Sequence, residues 1–189
     1  TPEPIVQDKM FKAFTDYLDF NRILGVSNVG ELNRVAADGR TRDLINVAEA
    51  LHQKYISAIA DEITRRHRQG GARIILIAGP SSSGKTTTTK RLAIQLMTNL
   101  LRPVMISLDN YFVDRAHTPR DADGEYDYES LYALDLDTFN SDLQDLLDGK
   151  EVGLPTYDFA TGTRKYKGNK ISLGADSVIL IEGIHGLNP

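Results

Sequence analysis

Eight residues, Gly79-Pro80-Ser81-Ser82-Ser83-Gly84-Lys85-Thr86, fit the pattern G-x-x-x-x-G-K-[ST] with none out of place. A short β-branched run, RIILIA at 73–78, precedes them, and a helix-like segment carrying Leu92, Leu96 and Leu100 follows. Strand, glycine-bounded loop and helix together make a phosphate cradle. Gly79 and Gly84 permit backbone angles and a closeness of approach that a Cβ would block. The loop N–H groups, with the N-terminus of the helix, converge on phosphate oxygens. Ser81, Ser82, Ser83 and Thr87 belong to the same nucleotide-binding set. Lys85 is expected to reach the β- and γ-phosphates, and the Thr86 hydroxyl to join a Mg²⁺ shell. The loop therefore predicts ATP or GTP with Mg²⁺. It does not say where the phosphoryl group goes, because ATPases, GTPases and kinases all use it.

Two further apolar runs, PVMISLD at 103–109 and SVILIEG at 177–183, read as buried strands. Continuous apolar strands alternating with helices predict an α/β fold, a P-loop NTPase-type parallel sheet with helices on both faces. A helix is expected over 137–147, with Phe139, Leu143, Leu146 and Leu147 as its face and Gly149 beyond its end. Residues 152–173 read as a strand and hairpin, and 114–135 as a polar, acidic segment too long for an idle connector.

Ahead of the sheet, residues 1–71 read as a small helical segment, with the P-loop domain expected over 72–189. Ile5 to Leu24 places Val6, Met10, Ala13, Phe14, Tyr17, Leu18 and Leu24 on one face, with Gly25 as a stop. Asn28 and Glu31 resemble a capping box for a short helix ending near Gly39. A longer helix carries Leu44, Val47, Leu51, Tyr55, Ile59 and Ile63 on one stripe, with Asp61–Arg65 and Glu62–Arg66 pairs before Gly70 and Gly71 end it. His52 and His67 read as surface or packing histidines.

The 189 residues carry 22 Lys and Arg against 26 Asp and Glu, a net charge of −4, which offers no overall attraction to nucleic acid or to an anionic membrane. The absence of Cys excludes disulfides and thiolate metal sites and suits a reducing cytoplasm. No apolar run approaches the length of a membrane span. The opening Thr1 and closing Pro189 read as the ends of a piece excised from a longer protein.

Three places can turn triphosphate binding into chemistry. Asp109 lies at the C-terminal end of the second apolar run, where open α/β sheets hold their ligands, and could accept a proton from an attacking hydroxyl or hold Mg²⁺ through water. Glu182 ends the third run, where a buried carboxylate needs a compensating cation or donor, and Mg²⁺ supplies one. Residues 126–135 and 155–164 offer Tyr126, Asp127, Tyr157, Phe159 and Arg164. Rings stack on a base and a carboxylate accepts sugar hydroxyls, so these suit a nucleoside-like ligand; Tyr157 and Phe159 equally fit an alternating strand with one side in the core. Arg164 with Lys165, Lys167 and Lys170 reads either as a solvated hairpin or as an approach to phosphates.

The motifs IAGPSSSGKTT, ISLDNYF, YDYESLYALD, LPTYDFATGTRKYKG and VILIEGIHGLNP, in that order, resemble the uridine kinase branch of the phosphoribulokinase/uridine kinase family over about residues 72–189. Residues 1–71 resemble the helical segment that precedes the kinase in long bacterial uridine-kinase-like proteins, which carry a threonyl-tRNA-synthetase-like N-terminal region. The resemblance implies ATP- or GTP-dependent phosphorylation of a nucleoside 5′-hydroxyl. It makes Asp109 the general base and Asp127 the sugar-binding carboxylate. Tyr126 and Phe159 flank the base, Tyr157 contacts it, and Lys85, Thr86 and Glu182 keep the roles above. The family's Phe-Tyr pair after the catalytic Asp is Tyr111-Phe112 here, and Gly162 stands where the family has a base-reading His. The family's lid arginines and last strands are expected beyond Pro189. The implied partner is a small nucleoside-like molecule in the cytoplasm, with no membrane and no nucleic acid, and a homo-oligomer is open. The alternatives are a kinase for another small hydroxyl compound, phosphoribulokinase- or pantothenate-kinase-like, and a nucleotide-binding regulatory module without transfer. No guanine-reading N-K-x-D appears in these residues.

Overall fold

A computed structural model describes residues 7–188, so Ile5 and Val6, expected at the start of the first helical face, lie outside the described residues, as does Pro189. The chain divides between Tyr55 and Ile56 into two units.

The first unit is helical. α1 (Asp8–Leu24) is capped by Gly25 as expected, but none of its residues is buried, and Met10, Phe14, Tyr17 and Leu18 of the expected face are exposed. α2 (Val29–Ala37) starts at Asn28, whose side chain accepts the Glu31 N–H. The Glu31 carboxylate reaches back to the N–H of Ser27, one residue before the position a capping box would use. α3 (Thr41–Arg68) begins in this unit.

In the second unit, β1 (Ile74–Ala78), β2 (Arg102–Ser107) and β5 (Ser177–Gly183) form a parallel sheet in the order β1-β5-β2. All seven residues of β5 are buried, as a central strand flanked on both edges and both faces must be. Alternate side chains divide between two cores. Val178 and Leu180 pack with Ile56, Ala60 and Ile63 of α3 and with Leu92, Ala93 and Leu96 of α4 (Lys85–Thr98). Ile179 and Ile181 pack with Ile106, Tyr111, Phe112 and Leu146, the last from α5 (Leu136–Leu147). An antiparallel hairpin, β3 (Val152–Asp158) and β4 (Thr163–Ile171), adds Val152 and Tyr157 to this second core.

Three local expectations are corrected. The buried stripe of α3 in this unit runs through Ile56, Ala60, Ile63 and Thr64, one position round from Tyr55 and Ile59, which are both 50% exposed. Small Ala60 lets the helix lie close, and His67 below it is a packing histidine, its ring nitrogens 3.0 Å from the carbonyls of Ala72 and Ala175. The Asp61–Arg65 pair does not form; Glu62 takes both Arg65 and Arg66, and Asp61 accepts from the Asn99 amide. At the end of α4, Leu100 turns outward with φ 66 and is 80% exposed, while the N–H of Leu101 closes onto Leu96 O and its side chain enters the core in its place.

Leu96 is fully buried between α3, α4 and β5. Leu96→Ala should therefore lower the stability of this unit by about 2–5 kcal/mol, the cost of lost burial plus a cavity. Urea titration followed by amide exchange in β5 checks it, and an unchanged midpoint would contradict the packing described.

Candidate active site

Parallel pairing aligns the strand ends. Ile77 and Ser107 both lie level with Glu182, and Ala78 lies level with Gly183, so the loops after β1, β2 and β5 leave the sheet side by side. The phosphate loop follows β1. Gly84, at φ 84, turns the chain into α4 through a left-handed conformation that suits glycine, and Thr86 and Thr87 occupy the helix's first turn. A Cβ on Gly79 would come within 2.8 Å of Ser83 Oγ, so the loop packs tightly over this glycine. The Lys85 ammonium curls back over the loop and donates to Pro80 O at 2.8 Å. Its charge thus lies above the helix N-terminus and the loop amides, the geometry of an anion site.

β2 ends at Ser107, two residues before the expected end of the run, and Asp109 sits in a 3₁₀ turn, Leu108–Tyr111. That turn is pressed against β5: a Cβ on Gly183 would meet Leu108 side-chain atoms at 2.8 Å. The result brings Asp109 close to Glu182. Asp109 is open to solvent, yet desolvation by the groups around it raises its pKa above the ordinary carboxylate value, with the negative charge of Glu182 adding to the rise and Lys85 opposing it. Glu182 itself is 8% exposed and accepts the Ser107 hydroxyl on Oε1 at 2.8 Å.

Two carboxylates held near one another at the ends of neighbouring strands are a destabilising arrangement unless a cation intervenes. Carboxylate and hydroxyl oxygens such as those of Glu182 and Thr86 are hard donors, of the kind that fits Mg²⁺. Among the described residues no group of three or more His, Asp or Glu is placed to hold a metal unaided. Such an ion would take the rest of its shell from phosphate and water oxygens, the usual Mg²⁺ pattern.

Beside Asp109 stands an aromatic cluster. Phe112 packs edge-on against Tyr128, Tyr157 and Phe159 with ring centroids 5.3, 5.6 and 6.1 Å away, and Tyr157 and Phe159 are 5.0 Å apart. Asn110, next to Asp109, accepts the Tyr157 N–H at 3.2 Å and ties β3 to the turn. The reading of one side in the core holds for Tyr157, and Phe159 lies beyond the end of the strand. Tyr157 is a core residue, 4% exposed, its hydroxyl pushed up to about 12 by burial, whereas Phe159 is 57% exposed. Tyr126 is exposed as well, with the Arg120 guanidinium 4.3 Å from its ring centroid. One oxygen of Asp127 accepts the N–H groups of Glu129 and Ser130, closing a turn.

Arg164 is committed elsewhere. It donates to Asp135 at 2.7 Å, and Asp135 also caps α5 by accepting from the N–H and hydroxyl of Thr138. Burial pushes the Asp135 carboxyl up, but these hydrogen bonds and the guanidinium outweigh it and hold the group below its usual range. Arg164 thus pins the hairpin to α5. Lys165 and Lys170 pair with Asp158 and Glu151 as solvated hairpin charges. The Ser107 and Asn110 contacts escaped the sequence reading, because each depends on a partner brought near only by folding.

The Phosphoribulokinase / Uridine kinase family matches residues 74–188. The uridine kinases of Staphylococcus aureus strains JH9 and Newman are 38% identical over 114 residues, which cover 60% of this chain and 53% of theirs. The chain therefore spans about half the length of these relatives. Among solved structures, the D-glycerate 3-kinase from Cryptococcus neoformans var. grubii superposes with a TM-score of 0.51 at 20% identity, over 70% of this chain and 52% of that one, a likeness of fold.

The raised Asp109 pKa makes a signed prediction. The native state holds this proton more tightly than the unfolded chain, so its stabilising contribution is full below the unfolded carboxylate value and is lost as pH rises through the folded value. Glu182→Gln should bring the Asp109 pKa down and Lys85→Met should drive it up. Carboxyl NMR titration of the three proteins checks both directions, and a shift of the wrong sign in either variant would remove the coupling.

Proposed function

The chain belongs to the phosphoribulokinase/uridine kinase family, and we propose that this protein transfers the terminal phosphoryl group of ATP to the primary hydroxyl of a nucleoside-like acceptor such as uridine or cytidine. The observation that carries the reading is that Lys85, Asp109 and Glu182 lie within electrostatic reach of one another where the strands end, with an aromatic cluster tied to the same turn through Asn110. The division of the chain falls at 55/56 rather than at the expected 71/72, because residues 56–68 of α3 belong to the core of the sheet-bearing unit.

In this mechanism the loop amides of Ser81, Ser82, Ser83 and Gly84 and the first-turn N–H groups of Thr86 and Thr87 hold the β- and γ-phosphates. Lys85 neutralises charge that develops on the γ-oxygens. The acceptor oxygen forms a bond to the γ-phosphorus as the bond to the β–γ bridging oxygen breaks, ADP leaves, and the acceptor's proton passes to Asp109. Thr86 and Glu182 would hold Mg²⁺, which when bound offsets phosphate charge and aligns the leaving group. The exposed rings of Tyr126 and Phe159 stack on the base, Tyr157 walls the recess, and the free capacity of the Asp127 carboxylate accepts sugar hydroxyls. The reaction belongs in the cytoplasm, and no described helix is long and apolar enough to cross a membrane.

Acceptor-dependent ADP release by the full-length protein, measured across uridine, cytidine and non-nucleoside hydroxyl compounds, tests the reading. Binding of ATP with no release for any acceptor would favour a regulatory module. Asp109→Asn should keep ATP binding and lose ~10²-fold or more in turnover, whereas Lys85→Ala should weaken ATP binding in a direct titration. The acid limb of the activity profile should lie above the ordinary carboxylate pKa, because Asp109 must be ionised to act and its pKa is raised. An acid limb at or below that ordinary value would remove Asp109 from the role.

A further inference from the structure

Arg115 lies outside the motifs that define the phosphate loop, the base and the aromatic pocket, in a 3₁₀ turn, Arg115–His117. It nevertheless joins the two segments that carry the exposed rings. Its Nε donates to the Tyr128 hydroxyl at 3.3 Å and its Nη2 to the Phe159 carbonyl at 2.5 Å. Its backbone N–H donates to Gly162 O at 2.8 Å. One guanidinium therefore spans from the loop at 126–128 to the turn at 159–162.

Gly162 is the seat of this contact. Its φ of +67 is a left-handed value, and an added Cβ would stand 2.7 Å from Arg115 Cβ, 2.8 Å from Nε and 2.9 Å from Cζ. The side chain of Arg115 thus lies flat on a backbone with no side chain of its own. Tyr128, at the other end of the contact, packs edge-on against Phe112 and so leads back to the turn that carries Asp109. The hydrogen bond from Arg115 is also the main influence holding the Tyr128 hydroxyl pKa below its usual value, as expected of a charge-assisted contact. A planar fork can serve two acceptors at once, which a lysine ammonium on a flexible stem does poorly.

We infer that Arg115 is a positioning residue of the acceptor pocket: it clamps the 126–128 loop to the 159–162 turn, so that the rings of Tyr126 and Phe159 are held in place before a planar, aromatic acceptor group arrives, with Gly162 as the seat that the clamp requires. The inference rests on the function proposed above for this site. Its physical content is preorganisation, since loops already ordered lose less entropy when the acceptor binds.

Steady-state kinetics of the full-length protein with ATP and uridine test it in Arg115→Ala, Arg115→Lys, Gly162→Ala and the Arg115→Ala/Gly162→Ala double variant. Arg115→Ala should raise KM for uridine ~10-fold, the scale of losing one hydrogen bond from a charged group, while kcat and KM for ATP stay within about 3-fold. Arg115→Lys should not rescue. Gly162→Ala should show the same rise, and the double variant should be no worse than the worse single one, because both remove one contact. An unchanged KM for uridine, or an equal rise in KM for ATP, would overturn the clamp. If the wild-type protein transfers nothing to uridine, the functional reading falls for that acceptor, and amide exchange still judges the clamp. Arg115→Ala should speed exchange at both 126–130 and 159–162 while leaving 79–86 unchanged, and unchanged exchange in either loop would overturn the inference.

Discussion

The chemistry proposed for this protein depends on an electrostatic arrangement that the sheet imposes: two carboxylates, Asp109 and Glu182, near each other and near Lys85. Left to solvent, these groups would separate. They cannot, because β5 is buried along its whole length and carries Glu182 at its end, while Gly183 accepts the close packing of Leu108 that holds Asp109 alongside. Hydrophobic burial of one strand thus supplies the constraint that keeps like charges together. The Ser107 hydroxyl satisfies one oxygen of Glu182 and leaves the pair suited to a cation and an anionic ligand.

The aromatic cluster shows a similar economy, since it belongs both to the core and to the surface. Phe112 and Tyr157 are buried in the same core as Ile179, Ile181 and Leu146, so they cannot move without disturbing the sheet. Phe159 and Tyr126 extend from that rigid base on short loops, exposed enough to meet a ligand. These exposed rings are therefore referenced to the sheet through packed neighbours, and Arg115 adds a polar tie between their loops. Asn110 links the cluster to the turn that carries Asp109, so the rings and that carboxylate are parts of one packed unit.

Much of this was legible in the residues. The phosphate loop, three apolar parallel strands, the 137–147 helix and the 152–173 hairpin follow from local signals, because glycine spacing, β-branched runs and helical periodicity are properties of short segments, although of the strands only β5 is buried throughout and Leu76 and Met105 on its neighbours are exposed. Reading failed where a neighbour distant in the chain decides. The stripe of α3 turned by one position because α4 and β5 select Ala60 as the close approach, and Leu100 left the core because Leu101 could close the helix end. Arg164 looked like a substrate group within its basic run. Asp135, 29 residues away in the chain, claims it.

By itself the sequence determined that a phosphate loop sits between an apolar strand and a helix, and that acidic residues end the two neighbouring apolar runs. Those are facts of order along the chain, and hydrogen-bonding and burial requirements leave them few solutions. Only the tertiary structure decided which carboxylates lie near each other, that Tyr157 is core and Phe159 is surface, and that Arg115 lies on Gly162 between two loops. The physical reason is that pairwise contacts across tens of residues depend on strand register and side-chain packing, and neither is encoded in any one segment.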